Sequence, residues 1–176
     1  VMATGTGKTR TTIGLAYRLI KSDRFKRILF LTDRRLLASQ ALGSFKDNKV
    51  EEINTFANIY KMEEMKNVFP ESETRLHFAT VQSMVKRLFY SNDSILPIDT
   101  YDCIIIDEAH RGYNLDKEIN EEDLLFKDEN DYVGQYKRVI EYFNAYIIGL
   151  TATPALHTTE IFGKPVHNYS YREAVI

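Results

Sequence analysis

The chain has 176 residues, of which 44% are hydrophobic and 27% charged, a balance typical of one globular domain and not of a disordered or fibrous chain. Its longest apolar runs, such as residues 104–106, are too short to span a bilayer, so no membrane partner is expected. Cys103 is the only cysteine, which excludes an internal disulfide and a cysteine-based zinc site and fits a reducing cytoplasm.

The net charge of −2 hides an uneven distribution along the chain. Residues 1–90 carry 16 Lys and Arg against 9 Asp and Glu, whereas residues 91–176 carry 7 against 16. A basic half could face phosphates while the acidic half turns away. A merely uneven surface would give the same counts, so charge alone leaves both interpretations open.

Short apolar runs alternate with amphipathic stretches, which predicts an α/β domain with a mainly parallel sheet. A glycine-rich loop occupies residues 3–7, and a helix follows it to about Lys21. Residues 27–31 read as a buried strand. Thr32 or Asp33 is then expected to cap the next helix.

The middle of the chain is less regular. Residues 49–74 are ambiguous, with a helix expected around residues 56–65. Residues 76–79 read as a strand and residues 81–89 as a helix, and a further strand is expected at residues 102–106.

The last third begins with residues 114–131, which are acidic and are expected to form a surface excursion. Residues 132–143 look helical, and residues 145–150 form a strand that ends in a Thr-Ala-Thr-Pro turn. Only Val1 and Met2 remain of the strand expected before the glycine-rich loop. We therefore expect residues 1–176 to be a single, partial domain, a fragment of a larger multidomain chain.

The glycine-rich loop has the chemistry of a phosphate-binding loop. Glycines let successive backbone N–H groups point at phosphate oxygens, and the following helix adds its positive N-terminal end. Lys8 is expected to reach the β- and γ-phosphates of ATP, and the Thr9 hydroxyl to coordinate Mg²⁺. Met2 stands where the usual pattern has its first glycine. The predicted nucleotide-binding residues are Thr4, Gly5, Thr6, Gly7, Lys8, Thr9 and Arg10.

An acidic pair follows the apolar strand at residues 102–106, at the end where open α/β sheets bind ligands. Asp107 is expected to hold Mg²⁺, and Glu108 to act as general base toward the attacking water. Lys8, Asp107 and Glu108 are therefore the candidate catalytic residues. A solvated Asp-Glu pair after a core strand is the alternative.

A coupling role is expected at two further places. In its Asp-Glu-Ala-His context, His110 could link the hydrolytic site to the turn that follows the next strand. In the turn formed by Thr151, Ala152 and Thr153, the two threonine hydroxyls could hydrogen-bond that histidine or Glu108 and report the state of the γ-phosphate. A simple strand-ending turn is also compatible with these residues.

These motifs resemble those of superfamily 2 helicases, in the same order: residues 4–9 (TGTGKT), 31–35 (LTDRR), 107–110 (DEAH) and 151–153 (TAT). More closely, the chain resembles the restriction (R, motor) subunit of type I restriction–modification enzymes. The stretches that carry this likeness are residues 31–37 (LTDRRLL), 78–84 (FATVQSM), 106–113 (IDEAHRGY), 150–159 (LTATPALHTT), 161–166 (IFGKPV) and 169–175 (YSYREAV). The first of the motifs departs from the common pattern only at Met2, a variation that the superfamily tolerates.

The resemblance implies a RecA-like P-loop NTPase fold that binds ATP and Mg²⁺ and moves double-stranded DNA. It also implies methyltransferase (M) and specificity (S) subunits as partners, a nuclease domain, and a second RecA-like domain with an arginine finger on the full-length chain. Residues 64–66 fit one element of the family's nuclease motif, but no Pro-Asp lies upstream, so we interpret them as a solvated helix face. The first motor domain alone is expected here.

Contacts to DNA are also implied by the resemblance, since hydroxyl, amide and guanidinium groups suit phosphate contacts. The expected contact residues are Thr32, Arg34, Arg35, Thr80, Gln82 and Ser83. A solvated helix start is the alternative for the two arginines, and a first-turn cap for Gln82 and Ser83. At the level of function, a strand-separating DNA or RNA helicase and a nucleotide-sensing module without turnover remain as alternatives.

Overall fold

The computed structural model describes residues 1–3, 5–64, 70–91, 96–107, 129–154, 156–170 and 172–173. Its helices are α1 (Lys8–Lys21), α2 (Arg35–Asp47), α3 (Phe56–Ile59), α4 (Val81–Val85), a π-helix (Lys86–Tyr90), α5 (Glu129–Tyr142) and α6 (Leu156–Phe162). Its strands are β1 (Ile28–Thr32), β2 (Lys49–Glu51), β3 (Asn54–Thr55), β4 (Lys61–Glu64), β5 (Thr74–Thr80), β6 (Cys103–Ile106) and β7 (Tyr146–Gly149). None of the described helices is long and apolar enough to cross a membrane.

The main sheet has the order β4-β5-β1-β6-β7, and every pair of neighbouring strands in it is parallel. This architecture confirms the predicted α/β class. The central strand β1 has five consecutive buried residues, as expected of a parallel strand covered on both faces. Because all five strands run the same way, their carboxyl ends meet at one edge, which we call the carboxyl edge.

Helices cover both faces of the sheet, and alternate residues of β1 pack against them. Ile28 and Phe30 belong to the core under α1, α2 and α3, together with Phe45 of α2. Leu29 and Leu31 belong to the opposite core, under α4 and α5. The period-2 alternation of a strand thus divides one apolar run between two cores.

At the amino edge of the sheet, Arg27 and Asp102 clamp the starts of three strands. The Arg27 guanidinium donates to the carbonyls of Thr74 at 2.9 Å, Glu71 at 3.0 Å, Ser72 at 3.1 Å and Thr100 at 3.4 Å. The Asp102 carboxylate accepts from the backbone N–H groups of residues 26 and 27, at 2.6 and 3.1 Å. These bonds fix β1, β5 and β6 relative to one another.

Two predicted elements were wrong. The helix expected at residues 56–65 ends at Ile59, and Lys61–Glu64 instead forms strand β4, parallel to β5. Glu64 is therefore half-buried in a strand and not on a solvated helix face, while residues 65–66 lie outside the described residues. The cap expected from Thr32 or Asp33 is also absent, because α2 begins at Arg35 with Arg34 as N-cap and no side-chain capping bond.

Two boundaries also differ from prediction. The helix expected at residues 81–89 is a short α-helix continued by a π-helix to Tyr90. Helix α5 begins at Glu129, so residues 129–131 of the expected acidic excursion are helical. The rest of that excursion, residues 114–128, lies outside the described residues.

Candidate nucleotide-binding site

The predicted phosphate loop lies at the carboxyl edge, beside the end of β7. The N–H of Met2 donates to the carbonyl of Thr151 at 2.9 Å, and the N–H of Ala3 donates to the carbonyl of Tyr169 at 3.0 Å. Residues 1–3 therefore run between the turn after β7 and the segment around Tyr169. The loop begins from an anchored backbone.

The loop turns on two glycines with left-handed backbone. Gly5 has φ of 79° and Gly7 has φ of 87°, a region that L side chains rarely adopt. A Cβ at either position would meet no atom within 4 Å, so the backbone angle and not crowding requires glycine. The Thr6 hydroxyl closes the turn by donating to the carbonyl of Ala3 at 2.6 Å. Thr4 lies outside the described residues.

Helix α1 begins at Lys8 directly after this turn. Gly7 is its N-cap, no side chain caps it, and its first turn holds no acidic residue. The N–H groups of a first helical turn have no acceptor within the helix and carry the positive end of its dipole. Phosphate oxygens are suitable acceptors for such N–H groups.

Lys8 and Asp107 face each other across the site. Their Nζ and Oδ1 atoms are 3.7 Å apart, and their side chains are 13% and 23% exposed. Asp107 is held in place by its own N–H, which donates to the carbonyl of Leu31 at 3.0 Å. The site thus joins a partly buried cation with a partly buried carboxylate, and the exposed Thr9 follows Lys8 on α1.

This donor set fits a nucleotide bound with Mg²⁺. Lys8 and the uncapped amides of α1 suit phosphate oxygens, whereas a carboxylate and a threonine hydroxyl are the oxygen ligands that Mg²⁺ takes in phosphate sites. Glu108, the candidate base, and His110 lie outside the described residues. Their roles stay predictions.

The turn after β7 is tied directly to this site. The N–H of Leu150 donates to the carbonyl of Ile106 at 2.8 Å, next to Asp107. Thr151 is 3% exposed, and its hydroxyl oxygen accepts from the N–H of Thr153 at 3.2 Å. Ala152 is half-buried and Thr153 exposed. The backbone of Thr151 thereby links β7 to the start of the phosphate loop, and the coupling through His110 stays a prediction.

The residues predicted to contact DNA occupy the same edge but differ in exposure. Arg34 and Arg35 are exposed at the start of α2. Thr32 is buried, and its hydroxyl donates to the carbonyl of Arg34 at 3.1 Å. In this structure Thr32 therefore shapes the turn that presents the two arginines.

The other predicted DNA contacts lie at the start of α4. The Thr80 hydroxyl accepts from the N–H of Ser83, and the Ser83 hydroxyl accepts from the N–H of Thr80, both at 3.1 Å. This reciprocal capping box is the alternative considered for Ser83. Gln82 is buried, and its Oε1 has no hydrogen-bond partner among the described residues.

Sequence reasoning missed one feature close to this site. Arg10, a predicted nucleotide ligand, lines a cleft on the outer face of α1 with Arg18 and Lys49. The spacing of the arginines, eight residues apart on the side of α1 that faces away from the core, was the available signal. The contribution of Lys49 to this cleft could not have been recognised from the sequence, because the β2–β3 hairpin that carries Lys49 was not predicted.

Comparisons with known proteins place the chain among restriction-enzyme subunits with a helicase-like domain. Residues 1–156 match the family model described as "Type III restriction enzyme, res subunit". The EcoKI type I restriction endonuclease subunit of Escherichia coli K12 is 56% identical over 175 residues, which cover 99% of this chain and 15% of that subunit. The chain thus spans about a seventh of the length of this relative.

Solved structures give the same grouping. A fragment assigned to the HsdR subunit of a type I restriction enzyme from Vibrio vulnificus YJ016 has a TM-score of 0.60 and 27% identity, covering 99% of this chain and 26% of that one. The Hef helicase domain of Pyrococcus furiosus has a TM-score of 0.50 and 26% identity, covering 88% and 30%. These likenesses confirm the RecA-like α/β fold. The chain belongs to the family described as the res subunit of type III restriction enzymes, and it is a helicase-like domain of the kind found in type I restriction endonuclease subunits.

Proposed function

We propose that this chain is the first of two RecA-like motor domains in a type I restriction endonuclease subunit. In that subunit it binds and hydrolyses ATP with Mg²⁺ and drives translocation along double-stranded DNA before cleavage. Specificity and methyltransferase subunits are the proposed partners in the complex.

The phosphate loop holds the nucleotide in this proposal. Lys8 donates to the β- and γ-phosphate oxygens, and the amides of Gly5, Gly7 and the first turn of α1 complete the cradle. The Thr9 hydroxyl and the Asp107 carboxylate hold Mg²⁺, directly or through water. Bound Mg²⁺ supplies positive charge that offsets the charge developing on the phosphate oxygens.

Glu108 is the proposed general base. It follows Asp107 at the carboxyl end of β6 and accepts a proton from the water that attacks the γ-phosphate. Thr151 and Thr153, with His110, pass the state of that phosphate to the rest of the motor. The hydrogen bond from Leu150 to Ile106 supports this role, because it couples the turn directly to the strand that carries Asp107.

DNA contact is proposed at the exposed arginines of the carboxyl edge. Arg34 and Arg35 start α2 and stand in solvent, so they can reach phosphates without reading base sequence. Thr32 and the capping box of Thr80 and Ser83 hold the two turns that border this surface. We also propose Gln82 as a DNA contact, although its buried side chain would have to turn outward to reach a phosphate.

The observation that carries the proposal is the 3.7 Å separation of Lys8 from Asp107 beside an uncapped helix start. A cation, a carboxylate and a helix start without a side-chain cap converge there, at the place where open parallel sheets bind ligands. A purely structural ion pair would require neither the two glycines with left-handed backbone nor a helix start without a side-chain cap, so these features favour a phosphate-binding site.

The test is the Lys8→Ala variant of the complete subunit. We expect it to lose ATP binding or hydrolysis, because the phosphates lose their charged donor. Phosphate release is measured with and without duplex DNA, and Lys46→Ala, which removes an exposed lysine of α2, serves as the matched control. Unchanged ATPase in the Lys8 variant would contradict the assignment. Separation of labelled strands in the wild type would favour a strand-separating helicase over a translocase.

A further inference from the structure

A cleft of about 380 Å³ lies on the outer face of α1, between that helix and strand β2. Its described lining holds four cationic side chains, Arg10, Arg18, Lys21 and Lys49, and one acidic side chain, Glu51. A volume of this size lies within the range of small-ligand pockets. The cleft therefore combines room for a ligand with a net positive charge of three.

The single acidic residue of this lining is already engaged. Glu51 accepts from the Tyr17 hydroxyl at 2.5 Å and from Lys21 Nζ at 2.6 Å. These bonds lower the pKa of Glu51, Lys21 making the larger contribution, and so keep it ionised and paired with Lys21. The charges of Arg10, Arg18 and Lys49 are left to face the cavity.

The walls of the cleft are built from regular structure. Helix α1 is anchored in the core by Ala16 and Ile20, and by Ile13, which also borders the cleft, so the wall carrying Arg18 is held in place. Gly14 lies in the middle of this helix and lines the cleft, where a Cβ would meet no atom within 4 Å. A glycine inside a helix costs about 1 kcal/mol relative to alanine, and at this position it adds room to the cavity.

We propose that this cleft is a second phosphate-binding site, separate from the phosphate loop. Arg18 and Arg10 offer planar forks that suit bidentate contacts to phosphate oxygens, and Lys49 adds a point charge from the opposite wall. The ligand chemistry is a phosphate dianion or a chain of phosphates. It is supplied either by a free polyphosphate or by the backbone of a nucleic acid. This inference goes beyond the proposed motor function and does not rest on it.

The test follows the reactivity of one group in the cleft, the side-chain amine of Lys49. Acylation of lysines in the complete subunit is followed by mass spectrometry, with inorganic pyrophosphate as the probe. Lys49 lines the cleft, whereas Lys46 is exposed on α2 outside it and serves as the internal control. We expect pyrophosphate to slow acylation at Lys49 and to leave Lys46 unchanged.

Variants then define the site. Arg18→Gln should raise the pyrophosphate concentration for half-protection of Lys49 by about tenfold or more, since one charge-assisted contact is lost. Arg24→Gln removes an exposed arginine outside the cleft and should leave it unchanged. Lys8→Ala should also retain protection, because the phosphate loop is a different site. Protection that disappears in Lys8→Ala, or that Arg18→Gln leaves intact, would overturn the proposal.

A second arm uses a short DNA duplex in place of pyrophosphate. Protection by pyrophosphate identifies a site for free phosphate chains. Protection of Lys49 by the duplex alone, again lost in Arg18→Gln, identifies a nucleic-acid backbone as the source. If neither probe protects Lys49 more than Lys46, the cleft is no phosphate site and the inference is wrong.

Discussion

The ion pair between Lys8 and Asp107 has a consequence for how a nucleotide would enter the site. At 3.7 Å the two charges partly satisfy each other before any ligand is present. In the proposed function, a phosphate group that attracts Lys8 would release the carboxylate of Asp107, which would then be available to a cation. The arrangement would therefore favour binding of the nucleotide and Mg²⁺ together over binding of either alone.

Glu108 gives a prediction that separates binding from chemistry. Glu108→Gln keeps the shape of the side chain and removes the proposed base, so the complete subunit should still bind ATP. Its turnover should fall by about a hundredfold or more, the usual contribution of a general base. Binding is measured with a fluorescent nucleotide and turnover by phosphate release. Glu141→Gln, on the exposed side of α5, is the control, and retained turnover in the Glu108 variant would place the base elsewhere.

His77 gives a prediction about pH. Its ring nitrogen shares a hydrogen bond with the Tyr101 hydroxyl inside the protein. Burial lowers the pKa of His77 to about 4. The nearby charge of Glu63 opposes this shift by raising the pKa, and the charge of Arg27 reinforces it by lowering the pKa. The unfolded chain binds this proton near the ordinary value of 6.5. The contribution of His77 to the free energy of unfolding should therefore be fully present above pH 6.5 and be lost as the pH drops from 6.5 toward 4.

The expected loss between pH 7 and pH 4.5 is on the order of 2 to 3 kcal/mol. It is measured by urea unfolding of residues 1–176, followed by circular dichroism at a series of pH values. Glu63 also has a lowered pKa, so it adds a loss below its ordinary value of 4.5. His77→Gln isolates the histidine, because the Glu63 contribution stays. The same pH slope in that variant would contradict the assignment.

At the scale of elements, the clamp of Arg27 and Asp102 should matter more than its position at the sheet edge suggests. Arg27→Lys keeps the charge but cannot span several carbonyls, so carbonyls of the loops before β5 and β6 lose their donor. We expect a loss of about 1 to 3 kcal/mol in the free energy of unfolding. Urea unfolding of the two proteins is the measurement. Arg24→Lys is the control, and equal stability of the two variants would show that the clamp contributes nothing.

The elements that the sequence could predict are those whose pattern of apolar and polar residues directly reflects which residues are buried. The apolar runs of β1 and β6 and the core stripe of α1 need no partner to be recognised. Strand β4 has the sequence KMEE, which has poor strand propensity and forms because β5 offers a free edge. Its Lys61 contacts Glu63 and Glu71, an arrangement that no local pattern could indicate.

The candidate site divides in the same way. The glycine turn and the carboxylate after β6 are local signatures, so their positions at the carboxyl edge followed from the motifs. The burial of Thr32 and the missing cap of α2 depend on how the chain turns after β1. The cleft beside α1 needs the β2–β3 hairpin, which lies in the stretch where sequence patterns were ambiguous.

At the scale of the whole molecule, residues 1–176 hold one wall of the proposed ATP cleft. In superfamily 2 motors the opposing domain supplies an arginine, and such arginines are worth about a thousandfold or more in related enzymes. We therefore expect residues 1–176 alone to bind ATP·Mg²⁺ weakly, to hydrolyse it negligibly with or without DNA, and to cut no DNA. Steady-state phosphate release from the purified domain is the measurement. Robust DNA-stimulated turnover would show that one domain suffices.

The backbone bonds from Met2 to Thr151 and from Ala3 to Tyr169 also bear on the order in which the molecule is made. The first residues of the chain leave the ribosome about 150 residues before their partners, a delay of roughly 8 to 30 s at ordinary rates of synthesis. The central strands β1, β5 and β6 can pair during this interval. The phosphate loop gains these two anchors only after Thr151 and Tyr169 have been made, so a nucleotide bound there, as proposed, would stabilise the domain only after the central strands can already pair.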